Sequence, residues 1–131
     1  MSLLLSGIEA KLITLAQKIF DRQFELDSKL VIEMDERRKQ LMFQDILYNF
    51  SFLTTAVNLQ DEKIFSNYAL WLFELLCNLM KDIDRDRIKD QMVDHYRILS
   101  SCADELYKDE QVDLAKSYLQ KIGRASCRER V

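Results

Sequence analysis

The chain has 131 residues and a formal net charge of −3; 48% of its residues are hydrophobic, 31% are charged, two are glycine and none is proline. This composition is typical of a globular domain rather than a disordered one, and the length is enough for a hydrophobic core. Because sheets need turn residues, the near-absence of glycine and proline predicts an all-α fold. The acidic balance argues against nucleic acid as the main partner, and no apolar run approaches the ~20 residues of a membrane span.

The first half of the chain predicts two long helices separated by a break. The first helix runs roughly from Ser2 to Phe24, with apolar residues at steps of three and four. At its start, Leu3 to Leu5 are more apolar than one face needs, which indicates either contact with a second copy or a fraying terminus. Residues 25–35 are less regular and predict a turn or short helix. The second long helix runs from Glu36 to about Leu59, and its aromatic residues surround the axis, as in a helix buried between neighbours.

The third predicted helix, from Asp61 to Asp82, holds the most continuous apolar pattern. Asp61 is a suitable N-cap because its carboxylate accepts orphan backbone N–H groups. The only tryptophan, Trp71, lies mid-helix and is interpreted as the centre of the core. Truncation of a buried aromatic residue costs roughly 3–5 kcal/mol, so Trp71→Ala is expected to unfold the domain.

The second half of the chain predicts one more long helix and a fragment. The fourth helix begins after Asp84 or Asp86 and runs to about Tyr107, and a short or truncated fifth helix opens at Asp109. Short loops favour antiparallel neighbours, so the expected architecture is an antiparallel bundle of four long helices plus that fifth one. A globin-like arrangement satisfies the same pattern.

The last ten residues, Ile122 to Val131, differ in character from the rest and read IGRASCRERV. They resemble the translation of a short-read sequencing adapter. That resemblance implies a gene cut short near Lys121, with a downstream domain missing. A natural basic tail is the alternative. We therefore predict one helical domain over residues 1–121, followed by a non-native or disordered tail over residues 122–131.

The chain lacks the residue patterns of a catalytic or metal site. His95 is the only histidine, and no Ser or Cys stands at hydrogen-bond spacing from it, so it is predicted to be a surface or boundary residue. The aspartates between Asp82 and Asp86 alternate as in a calcium loop. Arg87 and Val93 stand where that loop needs Gly and Glu, so helix capping explains the aspartates better than metal binding. We predict that the protein is not an enzyme.

Two further groups of residues bear on function. Cys77 and Cys102 lie within apolar helical patterns, which indicates buried reduced thiols and suits a cytoplasmic protein. The charged run from Glu36 to Lys39 predicts a solvated face. A basic site for an acidic ligand group is the alternative interpretation of Arg37 and Arg38.

Aromatic residues form the candidate ligand site. Seven of them are predicted either to line a flat apolar pocket between the second, third and fourth helices or, as the favoured interpretation, to pack in the core. They are Phe43, Tyr48, Phe50, Phe65, Tyr68, Trp71 and Tyr96. Such a pocket suits a tetrapyrrole or another apolar ligand, although no cofactor is required. Without a histidine in the set, haem ligation of the usual kind is not expected.

The order of these motifs resembles a helical module that precedes the cobalamin-binding domain in some bacterial proteins. The resemblance covers about residues 24–106. It rests on Gln44–Phe50, Phe52–Leu53, Ala56–Val57, Phe65–Trp71 and Leu75–Leu76. The sequence departs from the family pattern where Tyr48-Asn49-Phe50 replaces Tyr-His-Leu. The cobalamin ligands of that family lie downstream, so no cofactor residue is carried over.

The resemblance implies an accessory sensory or regulatory module. The expected function is therefore non-enzymatic, through self-association as a homodimer or through the helices of a partner protein. A tetrapyrrole or lipid carrier is one alternative and predicts a ligand that co-purifies. A purely structural dimerisation module is the other and predicts a dimer without a ligand.

Overall fold

The computed structural model describes the backbone of residues 2–129 and the side chains of residues 10–122. Every regular element in that part of the chain is a helix, so the fold is all-α as the composition predicts. The helices are α1 (Ser2–Leu26), α2 (Lys29–Glu33), α3 (Glu36–Leu59), α4 (Glu62–Leu79), α5 (Arg85–Ser101), α6 (Ala103–Leu106) and α7 (Glu110–Glu129). The contacts predicted for the side chains of Leu3 to Leu5 lie outside the described residues.

The element boundaries agree closely with the sequence pattern in the first half of the chain and less closely in the second. α3 has the predicted bounds, and the predicted break contains the five-residue helix α2. The predicted helix ending near Tyr107 is interrupted at Cys102, where α5 ends and α6 begins. The fifth helix was predicted to be short or truncated, but the corresponding helix α7 has 20 residues and continues to Glu129. That residues 122–131 are non-native stays a prediction.

The turn between α3 and α4 shows how a chain poor in glycine reverses its direction. Gln60 adopts a left-handed backbone with φ of 53°, and its N–H donates to the Val57 carbonyl at 3.2 Å. The Asp61 N–H donates to the Ala56 carbonyl at 2.9 Å, which completes a Schellman motif at the end of α3. The Asp61 carboxylate then accepts the Lys63 N–H at 3.1 Å, so the predicted N-cap of α4 is confirmed.

The chain forms two compact units, Met1–Phe50 and Ser51–Val131, and α3 contributes to both. In the first unit, α1 and the beginning of α3 are antiparallel. The Phe20 and Phe43 rings lie 6.1 Å apart, and one turn further along the Lys39 ammonium lies 5.9 Å from the Phe24 ring centroid. The buried apolar residues of this unit include Leu15, Ala16, Ile19, Leu30, Ile46 and Phe50.

In the second unit, α5 contacts α4, α6 and α7, and α7 also contacts α4. α4 and α5 are antiparallel, because Arg85 pairs with Glu74 near one end and Tyr96 contacts Phe65 near the other. An ion pair between Lys121 and Glu62, at 3.0 Å, joins α7 to the start of α4. The core of this unit includes Leu53, Phe65, Ala69, Leu72, Ile88, Tyr96, Leu99, Ala115 and Leu119.

Candidate functional site

Helix α4 is apolar on two faces, and its neighbours cover only one of them. Phe65, Ala69 and Leu72 are buried against the rest of the second unit. Trp71 lies on the other face and is 60% exposed, so the prediction that it forms the centre of the core is wrong. The apolar pattern of α4 is wider than the side that α5 and α7 contact, and the tryptophan lies on the remaining part.

The exposed face of α4 forms an apolar surface that we call the Trp71 surface. It consists of Phe52 from α3 and Ile64, Trp71, Leu75 and Leu79 from α4, which are exposed or half-buried; Tyr68 lies beside them but is 7% exposed and belongs to the core. The Phe52 and Tyr68 rings stack at 4.1 Å with an interplanar angle of 8°, and the Tyr68 and Trp71 rings lie 6.2 Å apart. The three rings form a row in which Phe52 and Trp71, 38% and 60% exposed, are open to a partner, whereas Tyr68 between them is buried.

Charged side chains border the Trp71 surface but do not lie within it. Two of the three charged residues of α4 adjoin it in sequence: Lys63 precedes Ile64, and Glu74 precedes Leu75. The Arg85 guanidinium donates two hydrogen bonds to the Glu74 carboxylate, at 2.9 and 3.3 Å, and lies 4.9 Å from the Phe73 ring centroid. These hydrogen bonds hold the pKa of Glu74 below its ordinary value. The flank of the surface thus carries a carboxylate that already has its counterion.

The seven residues of the predicted pocket belong to both units. In the second unit, Phe65 and Tyr96 are buried and meet edge to face at 5.5 Å, so each ring fills space beside the other, as in an ordinary core. Tyr68 is buried as well, and Trp71 belongs to the Trp71 surface. In the first unit, Phe50 is buried, Phe43 is half-buried and Tyr48 is 56% exposed. The combined pocket of all seven residues stays a prediction.

His95 is buried, contrary to the prediction of a surface or boundary residue. It is 8% exposed, and neither ring nitrogen has a hydrogen-bond partner in the described structure. Burial lowers its pKa from 6.5 to about 4, so the imidazole is neutral. The predicted apolar stripe of α5 was too narrow, because contacts with α4, α6 and α7 also bury positions beside that stripe.

A second buried polar group, in the first unit, was also missed. Asn49 is 1% exposed, and its amide donates to the Asp45 carbonyl at 2.7 Å, whereas its side-chain oxygen has no partner in the described structure. Burial raises the pKa of the Asp45 carboxyl from 3.8 to about 6. The two residues are four apart on α3 and so share one face. The only hint in the sequence is a polar pair within an otherwise apolar pattern.

The remaining polar candidates have local structural roles. The Arg38 guanidinium donates to the Glu33 backbone carbonyl at the end of α2, at 3.1 Å. The backbone N–H of Arg38 donates to the Asp35 carboxylate at 2.8 Å. Asp84 is the N-cap residue of α5, as predicted, although its side chain makes no capping hydrogen bond. Among the described residues no cluster of His, Cys, Asp and Glu could hold a metal ion.

Cys77 and Cys102 are free, but only Cys102 is fully buried. Partial burial raises the pKa of the Cys77 thiol above its ordinary value. An open groove follows one side of α1 between Ile13 and Glu25. Lys18, Asp21 and other polar residues of this one helix line it, and no residue of the predicted aromatic pocket does.

Comparisons with known proteins add no assignment: no family model, no curated protein and no solved structure matches the chain. Within the described part of the chain, none of the helices has both the length and the apolar character needed to cross a membrane.

Proposed function

We propose that this protein is a non-enzymatic interaction module with a sensory or regulatory role, which binds an apolar protein surface through the Trp71 surface. The observation that carries the proposal is the 60% exposure of Trp71 beside a stacked aromatic pair. Aromatic residues, tryptophan above all, contribute most of the energy at protein interfaces, and contiguous exposed apolar patches mark such sites. The free thiols of Cys77 and Cys102 suit the reducing cytoplasm, where we place the protein.

The chemistry of the flanks supports a protein partner over other macromolecules. A site for nucleic acid or for an anionic membrane needs clustered Lys and Arg side chains. The exposed polar residues next to the Trp71 surface on α4 are instead Lys63, Asn67, Glu74 and Asn78, which do not form a cluster of cations. Two neutral amides, one lysine and a paired carboxylate make the kind of polar rim that surrounds an apolar interface core.

Site-specific photo-cross-linking in the cells that the protein comes from tests this function. A photoreactive amino acid replaces Leu79, which is 57% exposed at the end of the Trp71 surface. We expect discrete protein adducts, and we expect Trp71→Glu to abolish them. The matched control is Ile32→Glu, which places the same charge at a residue of α2 that is 89% exposed, and the adducts should persist.

A second control places the photoreactive group at Lys108, an exposed residue between α6 and α7. Adducts that form equally from positions 79 and 108, or that survive Trp71→Glu, would overturn the proposal because they would not depend on this surface. The absence of any adduct from position 79 would overturn it too.

A further inference from the structure

We propose that His95 acts as a proton-sensitive switch for the Trp71 surface. Protonation of its imidazole opens the contact between α4 and α5, so the surface loses the support that partner binding needs. This inference rests on the proposed function and adds how binding is regulated. Two observations carry it: His95 is buried without a hydrogen-bond partner among the described residues, and a continuous row of rings joins it to Trp71.

The row of rings crosses from α5 to the exposed face of α4. The His95 ring lies 5.4 Å from the ring of Tyr96, which meets Phe65 edge to face at 5.5 Å. The Phe65 ring lies 6.4 Å from that of Tyr68, and the Tyr68 ring lies 6.2 Å from that of Trp71. All of these rings except Trp71 are buried, and close-packed interiors transmit a displacement from one side chain to the next. A movement of α5 at His95 therefore reaches the side chain beside Trp71.

The buried position of His95 suits the neutral imidazole and not the imidazolium. Both ring nitrogens of an imidazolium are N–H donors, and neither has an acceptor in the described structure. A buried charge without a partner is costly, so the imidazolium is stable only where water reaches it. Because Tyr96 is the next residue of α5, exposing the His95 ring to water also moves Tyr96 away from Phe65.

The charged groups of the helices around α5 do not offer that partner. Among the described side chains of α4, α6 and α7, which pack against α5, every charged one is exposed or half-buried. They are Glu62, Lys63 and Glu74 on α4, Asp104 and Glu105 on α6, and Glu110, Asp113, Lys116 and Lys121 on α7. The part of α3 that belongs to the second unit, residues 51–59, has no charged residue.

The side chains of α5 itself do not offer it either. The positions one turn from His95 are Gln91, Met92, Ile98 and Leu99, none of which ionises. The adjacent Asp94 is half-buried and pairs with Arg97 at 3.8 Å, Asp90 is exposed, and the buried Lys89 is itself a cation. The other buried ionisable groups of the unit are the phenols of Tyr68, Tyr96, Tyr107 and Tyr118 and the thiol of Cys102. Burial is accordingly the cause that lowers the pKa of His95 to about 4.

The difference in pKa between the two arrangements determines the size of the response. In the open arrangement the imidazole is in water and titrates near its ordinary pKa of 6.5, whereas in the closed one its pKa is about 4. The ratio of open to closed chains should therefore rise about 20-fold from pH 7 to pH 5. A partner that binds the closed arrangement loses affinity in proportion to the closed fraction that remains. Binding is thus strongest at neutral pH and weakens as the pH falls.

Amide hydrogen exchange of the purified full chain, measured by NMR at pH 7 and pH 5, tests the opening. After correction for the intrinsic pH dependence of exchange, the amides of residues 65–71 and 93–99 should lose about 20-fold in protection at pH 5. His95→Gln keeps a polar side chain without the titrating group and should be equally protected at both pH values; His95→Leu is a second such variant. An equal loss in these variants, or amides that open only when the whole chain unfolds in urea, would overturn the switch.

Photo-cross-linking from position 79 tests the effect on binding, in extracts of the cells that the protein comes from, at pH 7 and pH 5. The yield of the Trp71-dependent adduct should fall at pH 5 at least ~2-fold further for the wild-type chain than for His95→Gln, since the partner is the same for both. Equal yields would overturn the switch and leave the proposed function standing. The absence of adducts at pH 7 would overturn the proposed function, whereas hydrogen exchange, which needs no partner, would still decide whether His95 opens the contact between α4 and α5.

Discussion

At the scale of single residues, His95 makes the stability of the second unit depend on pH. Its pKa falls from 6.5 in the unfolded chain to about 4 in the folded one, because burial disfavours the imidazolium. Between these values the unfolded chain binds a proton that the folded chain does not. Stability is therefore complete above pH 6.5 and decreases as the pH falls toward 4.

From pH 7 to pH 4, the His95 contribution should lower the free energy of unfolding by about 3 kcal/mol, at 1.36 kcal/mol per pKa unit. Replacement of His95 by Leu removes the titrating group, so the variant should lack this loss. Urea unfolding of both proteins at pH 7, 5.5 and 4, followed by circular dichroism, measures the difference. Parallel pH profiles of the two proteins would show that His95 is accessible to protons in the folded state.

Asp45 has the opposite pH dependence, in the first unit. Its pKa rises from 3.8 to about 6 on folding, so the folded chain binds the extra proton and stability decreases as the pH rises from about 4 to 6. Asp45→Asn should stabilise the protein by about 1 kcal/mol at pH 7, after discounting for partial exposure, and should give no gain at pH 4.

Thermal unfolding of the Asp45→Asn variant at these two pH values tests this prediction. Glu25→Gln is the control, since it removes a negative charge from an exposed residue of the same unit and should have little effect at either pH. A gain that is equal at pH 4 and pH 7 would show that the buried carboxylate is not its cause.

At the scale of elements, the two faces of α4 should respond differently to truncation. Phe65 is fully buried and contacts Tyr96, so Phe65→Ala should cost roughly 3–5 kcal/mol. Trp71 is 60% exposed, so Trp71→Ala should cost less than about 1 kcal/mol, from the lost contact with Tyr68. Equilibrium unfolding at low protein concentration compares the two variants without a contribution from association. Equal costs would mean that α4 is rotated from the orientation described.

The same helix shows how far sequence reasoning extends. Local signals predicted the start of α4, because the Asp61 cap depends on chemistry within three residues. They also predicted the bounds of α3. Periodicity shows which residues share a face, but which face the neighbouring helices cover is a property of packing. The predictions for Trp71 and His95 were wrong for this reason. Trp71 was expected in the core and is exposed, whereas His95 was expected at the surface or boundary and is buried.

At the scale of the whole molecule, the question is whether the chain carries a pigment. A tetrapyrrole site is a concave pocket of roughly 300–1,000 Å³, and haem usually needs an axial ligand such as histidine. His95 has the neutral imidazole that a metal would accept, and its ring lies 5.4 Å from that of Tyr96. Tyr96, however, packs directly against Phe65. Entry of a macrocycle would have to separate these core rings.

We therefore expect the purified protein to be colourless and to retain neither haem nor cobalamin nor biliverdin after gel filtration. Absorption spectra recorded before and after incubation with each pigment measure this. A haem absorption band that survives the column and disappears in the His95→Leu variant would contradict this expectation and identify His95 as an axial ligand. The second unit would then have to open to admit its ligand, and the unpartnered ring nitrogens of His95 would be explained by the metal they bind.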